Sequence, residues 1–385
     1  MNKKYGLYLF LVSLILIIFG IIMIYSSSSI WAIYKFNDSF KYVKHQVLFF
    51  VIGLIIVYFL YKVDYRIFYK YSSYIFITFL ILLILVLIPG IGSVRNGSRS
   101  WFGIGSFGIQ PSEFMKLALI IVVCKYYSKY EKNLNSFKNG IFPILFILFF
   151  VFGLIMLQPD FGTGMIIVIS VLAVMYVAGV NLKFFIVLGL LGVVGIVGLI
   201  IAAPYRMARI TSFIDPWSDP LGSGFQIIQS LYAIGPGGLL GMGFLKSRQK
   251  QFYLPEPQTD FIFSIISEEF GALGVIIVVS LFSLLLFFGF KIAINSQDKF
   301  SKLLSFGLVF QILIQAVMNL FVVIGLIPVT GVTLPFLSYG GSSLLITMIE
   351  IGIVLNISKN NHWKKEQMFD IILLKIQEVI WTILY

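Results

Sequence analysis

Disulfide and metal chemistry have almost nothing to work with in this chain. It holds one cysteine, Cys124, and two histidines, His45 and His362, far apart in sequence. One cysteine forms no internal disulfide, and no His/Cys cluster has metal-site spacing. Charge is also scarce: 11% of residues are charged, against about a quarter in a soluble domain. Acids number 16 against 28 bases. What fills the chain instead is apolar, 59% of all residues. A water-soluble core cannot hide that excess, so the composition points to an all-α, polytopic integral membrane protein.

The net charge of +12 would suit nucleic acid, but the lysines and arginines sit in short loops between apolar segments. The positive-inside rule and contact with anionic membrane lipids account for them, and no nucleic acid is expected as a partner. Apolar runs of about 20 residues give ten spans, over 7–29, 45–62, 71–91, 111–127, 140–157, 162–180, 183–203, 260–290, 303–327 and 337–357. The first follows Lys3 and Lys4 like a signal peptide, but it runs on to about Met23 and reads as an uncleaved helix. The basic bias favours both termini on the cytoplasmic side, which makes the long polar segment Pro204–Thr259, between the seventh and eighth spans, extracytoplasmic. Within it, Gly224–Ile234 has helical apolar spacing and reads as a short interfacial helix. One transmembrane domain is expected over 1–362, with a cytoplasmic amphipathic tail over 363–385.

The candidate chemistry lies at the ends of the spans. Pro255-Glu256-Pro257-Gln258-Thr259-Asp260-Phe261 sets one carboxylate at the mouth of the eighth span, where an acid is costly unless it has a partner or a task. Projected at 100° per residue, Asp260, Ser264, Ser267, Gly271 and Gly274 share a stripe. Two readings stand side by side: a functional acid facing protein or water, or a helix cap followed by close packing. Of Glu268 and Glu269, one should bond another helix, and the sequence does not say which. Glu113 and Lys116 share a face of the fourth span, as a structural pair or as an electrostatic wall for a charged substrate. Asp160 lies in a tight turn. Leu334 to Ser343 crowds hydroxyls, Ser338, Ser342 and Ser343 among them, around Pro335 and a Gly pair, which suits either packing or a wet cavity. Arg95, Arg99, Arg206, Arg209, Lys246, Arg248 and Lys250 form an outer cation set, either solvated or available to a pyrophosphate. Gly189, Gly192, Gly195 and Gly198 read as helix-packing glycines. Gly103-Ile104-Gly105-Ser106-Phe107-Gly108 matches a dinucleotide fingerprint by letter alone, with no βαβ unit around it.

Six runs, in order, carry a resemblance: Asn96-Gly97-Ser98-Arg99-Ser100-Trp101, Gln110-Pro111-Ser112-Glu113, Gln158-Pro159-Asp160-Phe161-Gly162, Asp215-Pro216-Trp217 through Gly235-Pro236-Gly237-Gly238, Leu254 through Phe263, and Leu334 to Ser343. With these the chain resembles the SEDS family (shape, elongation, division and sporulation) over nearly its whole length. Ser247-Arg248-Gln249-Lys250, Pro255 to Asp260 and Thr333 make it more similar to the FtsW and SpoVE branch than to RodA. The resemblance implies a multi-pass protein of the bacterial cytoplasmic membrane and an inverting peptidoglycan glycosyltransferase that polymerises lipid II. It places the family's key aspartate on Asp260 and its acid and lysine on Glu113 and Lys116. Arg99, Asp160, Arg206, Arg209, Arg248, Lys250, Ser338, Ser342 and Ser343 are then candidate substrate contacts. The leaving pyrophosphate would need these cations or a divalent metal, Mg or Mn. A class B penicillin-binding protein is the implied partner. Two other classes remain: a lipid II flippase, which needs a polar route across the whole bilayer, and a scaffold indifferent to any single acid.

Overall fold

In the computed structural model, residues 2–95, 97–103, 108–131, 134–201 and 204–360 are described. The tail over 363–385 lies outside them. The chain is helical almost throughout: α1 (Asn2–Phe36), α2 (Lys41–Lys62), α3 (Arg66–Leu85), α4 (Pro111–Lys129), α5 (Phe142–Met156), α6 (Phe161–Ala178), α7 (Leu182–Ile201), α8 (Pro204–Ile214), α9 (Phe225–Ile234), α10 (Ile262–Ile294), α11 (Lys299–Val323) and α12 (Gly341–Asn360). The expected spans correspond to α1–α7 and α10–α12, with α8 and α9 inside the long polar segment. Among the described residues eight helices are long and apolar enough to cross a membrane. α4 falls short of that measure because Glu113, Lys116 and Lys125 interrupt it. It is tolerated because its charged first turns are buried among other helices instead of facing lipid.

α12 packs on α2, α1 on α10, α3 on α4, and α10 on α11, so α4, α11 and α12 meet at the centre. Small residues set the closest crossings. A methyl group on Gly20 of α1 would come within 2.5 Å of the Phe336 carbonyl, which draws the Leu334–Ser343 segment against α1. Between α3 and α4 a small antiparallel hairpin pairs β1 (Ser93–Arg95) with β2 (Ser98–Trp101), Arg95 opposite Ser98.

Two expectations need correction. α12 begins at Gly341, not 337, because residues 334–340 form an irregular turn bonded to other segments. The short helix expected over Gly224–Ile234 is present as α9; it buries Ile227, Ile228, Ser230 and Ala233 against the bundle, with Ser230 donating to the Val323 carbonyl at 2.7 Å, and leaves Leu231 and Tyr232 exposed. The four α7 glycines pack against nothing in the described chain, since a Cβ at any of them would meet no atom within 4 Å.

Candidate active site

α10 is two helices joined by a break. Gly271 sits at φ 61° and ψ −152°, a region essentially reserved for glycine. A Cβ there would stand 2.5 Å from the Gly241 nitrogen and 2.8 Å from the Gly237 oxygen, because residues 237–241 press directly onto the helix. The loop also takes up the hydrogen bonds that the break frees. Met242 and Gly243 N–H donate to the Glu268 and Glu269 carbonyls at 2.8 and 3.0 Å, and Ala272 and Leu273 N–H donate to Gly238 and Leu239 at 2.9 and 3.2 Å. Buried irregular backbone persists only where protein satisfies it. The stripe drawn from Asp260 to Gly274 is therefore not one helical face: it is cut at Gly271 and starts outside the helix.

Asp260 does not cap α10. The helix opens at Ile262 after Phe261, with no side-chain cap. The Asp260 backbone is held instead. Asn319 of α11 donates from Nδ2 to the Asp260 carbonyl and to the Val332 carbonyl, both at 2.7 Å. The turn before α12 completes the clamp: Tyr339 N–H donates to Gln258 at 2.8 Å and Ser338 Oγ to the Thr259 carbonyl at 2.6 Å. Asp260 itself is half-buried, with Gly331 close by: a Cβ on Gly331 would lie 3.8 Å from Asp260 Oδ2.

Below this lip lies a buried polar cluster from α4, α11 and α12. Lys116 Nζ is 3.1 Å from Glu113 Oε2 and donates to Gln315 Oε1 at 2.6 Å. Gln315 Nε2 donates to the Thr333 carbonyl at 3.1 Å, and Thr333 Oγ1 and Ser343 Oγ are 3.0 Å apart. Gln311 donates to Glu350 at 2.6 Å. Beside it, Asp160 caps α6 through Thr163 N–H at 3.1 Å and accepts from Gln110 Nε2 at 2.9 Å. Desolvation raises the Asp160 pKa, and the Thr163 hydrogen bonds oppose that rise. Ser342 donates to the Gly108 carbonyl at 3.0 Å and ties α12 to the segment before α4. So Glu113, Lys116, Ser343 and Asp160 converge around one region, and Ser338 and Ser342 position its walls.

The cations divide. Arg95 lies over the Trp101 ring at 4.9 Å, and Arg99 is half-buried on the same hairpin. Arg248 is exposed. Lys250 is buried and 2.8 Å from Glu269, so its ammonium is engaged within the protein. The side chains of Arg206 and Arg209 lie outside the described residues. Among the described residues no three His, Cys, Asp or Glu side chains converge, so this donor set makes no all-protein cation cage.

Several partners in this cluster are not among the residues singled out from the sequence. Gln311, Gln315 and Asn319 recur every four residues along α11, and that polar row on an apolar helix was an available signal. Glu350 sits alone in an apolar run and gains meaning only beside Gln311. Glu269 reaches Ser26 of α1 at 2.6 Å, whereas Glu268 turns to the loop.

The family described as cell cycle protein FtsW/RodA/SpoVE matches residues 7–363. The stage V sporulation protein E of Bacillus subtilis strain 168 is 53% identical over 357 residues, covering 93% of this chain and 98% of that protein. A probable peptidoglycan glycosyltransferase FtsW of Geobacter sp. strain M18 is 40% identical, covering 92% and 97%. Among solved structures, a chain of a peptidoglycan synthase complex that coordinates polymerization and crosslinking superposes with a TM-score of 0.75 at 31% identity, covering 92% and 97%. Thermus thermophilus rod shape determining protein RodA follows at 0.68 and 26%, covering 92% and 96%. Matched along the whole bundle, through both the broken α10 and the segments that clamp Asp260, the chain belongs to the FtsW/RodA/SpoVE family.

Proposed function

We propose that this protein is a peptidoglycan glycosyltransferase that polymerises lipid II at the outer face of the bacterial cytoplasmic membrane, with Asp260 as general base. The observation that carries the reading is a half-buried carboxylate whose backbone is fixed from α11 and from the turn before α12, at the lip of a polar cluster holding Glu113 and Lys116. The acceptor sugar hydroxyl attacks the anomeric carbon of the donor, Asp260 takes the hydroxyl proton, and the lipid pyrophosphate leaves with the bonding electrons. An α-linked donor gives a β-linked product in this single displacement. The leaving group departs as a low-pKa anion, so no second acid is needed. Its charge is met by cations of the set Arg99, Arg206, Arg209 and Arg248. Among the described residues the carboxylates, histidines and cysteine do not converge into a metal cage.

The basic bias of the loops supports a topology with both termini on the cytoplasmic side. Ser247 and Ser358 are buried and poor labelling sites. Lys246→Cys and Lys302→Cys replace exposed residues on opposite sides of the expected topology. A membrane-impermeant thiol reagent added outside intact cells should label the first and spare the second, and equal labelling would overturn the orientation. A class B penicillin-binding protein is the proposed partner: the family resemblance implies it, and the similar chain of known structure comes from a peptidoglycan synthase complex that coordinates polymerization and crosslinking. Its titration should raise polymer yield, and a flat response counts against the partnership. Purified protein in vesicles, given lipid II and assayed separately for polymer and for translocation, tests the activity itself. Translocation without polymer would replace it with transport.

A further inference from the structure

The loop that delivers Asp260 is bolted to the helix that follows it. Residues Ser247 to Lys250 lie against the two glutamates just before the break in α10. The Glu268 carboxylate accepts from three donors of the strap: Ser247 Oγ at 2.5 Å, Arg248 N–H at 2.8 Å and Gln249 N–H at 3.4 Å. Among the described residues no cation pairs with it. Glu269 accepts from Lys250 Nζ at 2.8 Å and from Ser26 Oγ at 2.6 Å, and Lys250 also donates to Ser26 Oγ at 3.1 Å. Ser247, Lys250, Glu268, Glu269 and Ser26 are all buried. The strap is tied forward as well, because Leu254 N–H donates to the Gln249 carbonyl at 2.9 Å and Leu254 is itself buried.

These contacts close a ring. The chain leaves the strap at Lys250, reaches Asp260, enters α10 and returns within three turns to the glutamates that grip the strap. Because α10 is interrupted at Gly271, the half-helix Ile262–Phe270 is not stiffened by an unbroken rod beneath it. Its direction is set by what it holds. Two buried carboxylates in one helix turn are expensive, and packing alone does not require them where any apolar pair would fill the space.

We propose that Glu268 and Glu269, with Ser247 and Lys250, are positioning residues for the glycosyl transfer: they fix the strap to the half-helix and so set where the Asp260 carboxylate stands. This rests on Asp260 being the general base. A displacement of about 1 Å at a reacting group costs up to about 100-fold in rate, whereas substrate affinity depends on contacts elsewhere.

The test is lipid II polymerisation by purified full-length protein in vesicles, with kcat and KM determined separately and the thermal midpoint measured on the same samples. Glu268→Gln keeps volume but turns an amide N–H₂ toward backbone donors. Its kcat should fall by roughly 10- to 100-fold, with KM for lipid II within about threefold and the midpoint near the parent's. Ser247→Ala removes one donor and should show the same split at smaller size, which keeps the idea testable if Glu268→Gln folds poorly. Asp260→Asn is run alongside. Normal polymer from Asp260→Asn overturns the general-base reading. A dead Asp260→Asn beside a Glu268→Gln and a Ser247→Ala of parental kcat, or of reduced kcat matched by an equal loss of folded protein, overturns the positioning role alone.

Discussion

Two buried ammonium–carboxylate pairs stand within one bundle and do different work. Lys116–Glu113 joins neighbours on a single helix face, 3.1 Å apart, and opens into Gln315, Thr333 and Ser343. Lys250–Glu269, at 2.8 Å, joins a loop to a helix and ends on Ser26 of α1. The first borders the half-exposed hydroxyls of Thr333 and Ser343 near Asp260, which is why we propose it as a wall of the substrate site. The second is buried among protein groups, and its proposed effect on the reaction runs through the backbone it restrains. On this proposal, equal burial and equal chemistry give a site wall in one place and a fastening in the other. The difference lies in what the remaining hydrogen-bond capacity of each ammonium is spent on.

The comparison breaks first at Asp260, the reference for any effect on chemistry. Asp260→Asn should lower polymerisation by about 10²–10⁴-fold with near-normal expression and lipid II binding, and substantial polymer from a well-folded variant would remove it from the mechanism. Next come the pairs themselves. Lys116→Met and Lys250→Met each strand a buried carboxylate, at a cost of about 3–5 kcal/mol in stability. Replacing both partners by apolar residues should separate them. Lys250→Met with Glu269→Leu should recover most of the thermal midpoint while kcat stays depressed and KM is little changed. Lys116→Met with Glu113→Leu should recover the midpoint while KM for lipid II rises. Identical kinetic patterns from the two double variants would erase the distinction.

A smaller effect is expected at the break. Gly271→Ala forces a side chain into an essentially glycine-only conformation, at about 1–3 kcal/mol, and drives a methyl against the Gly241 backbone. Loop 237–243 should become more accessible to protease, and unchanged digestion would mean the loop is held without the break. The smallest change is expected at Asp160→Asn. Asn caps nearly as well as Asp, so the thermal midpoint should move by no more than about 1 kcal/mol in stability, read by melting in detergent.

Much of the bundle was legible because lipid imposes a one-dimensional rule: each span must be a long apolar run, and all ten recur as helices near their expected positions. Glu113 and Lys116 were legible for the same reason, since three residues on a helix is a contact. The ring around Asp260 was not. Lys250 and Glu269 are 19 residues apart, and nothing in local spacing says that a loop folds back onto the helix it feeds. The Asp260–Gly274 stripe misled because helical projection assumes an unbroken helix, and the glycine counted as a small packing residue is the one that breaks it. The α7 glycines misled in the opposite sense: small residues permit close packing, but no helix of the described chain takes up the offer.

The break at Gly271 divides the labour within α10. Beyond it, Ala272–Ile294 reaches about 35 Å at about 1.5 Å per residue, enough to cross a hydrocarbon layer of about 30 Å without help from the first half. The half-helix Ile262–Phe270 is thus relieved of any spanning duty, and its tilt is answerable to the loop that grips Glu268 and Glu269. Anchorage in lipid and aim of the preceding segment can vary separately within one continuous stretch of chain.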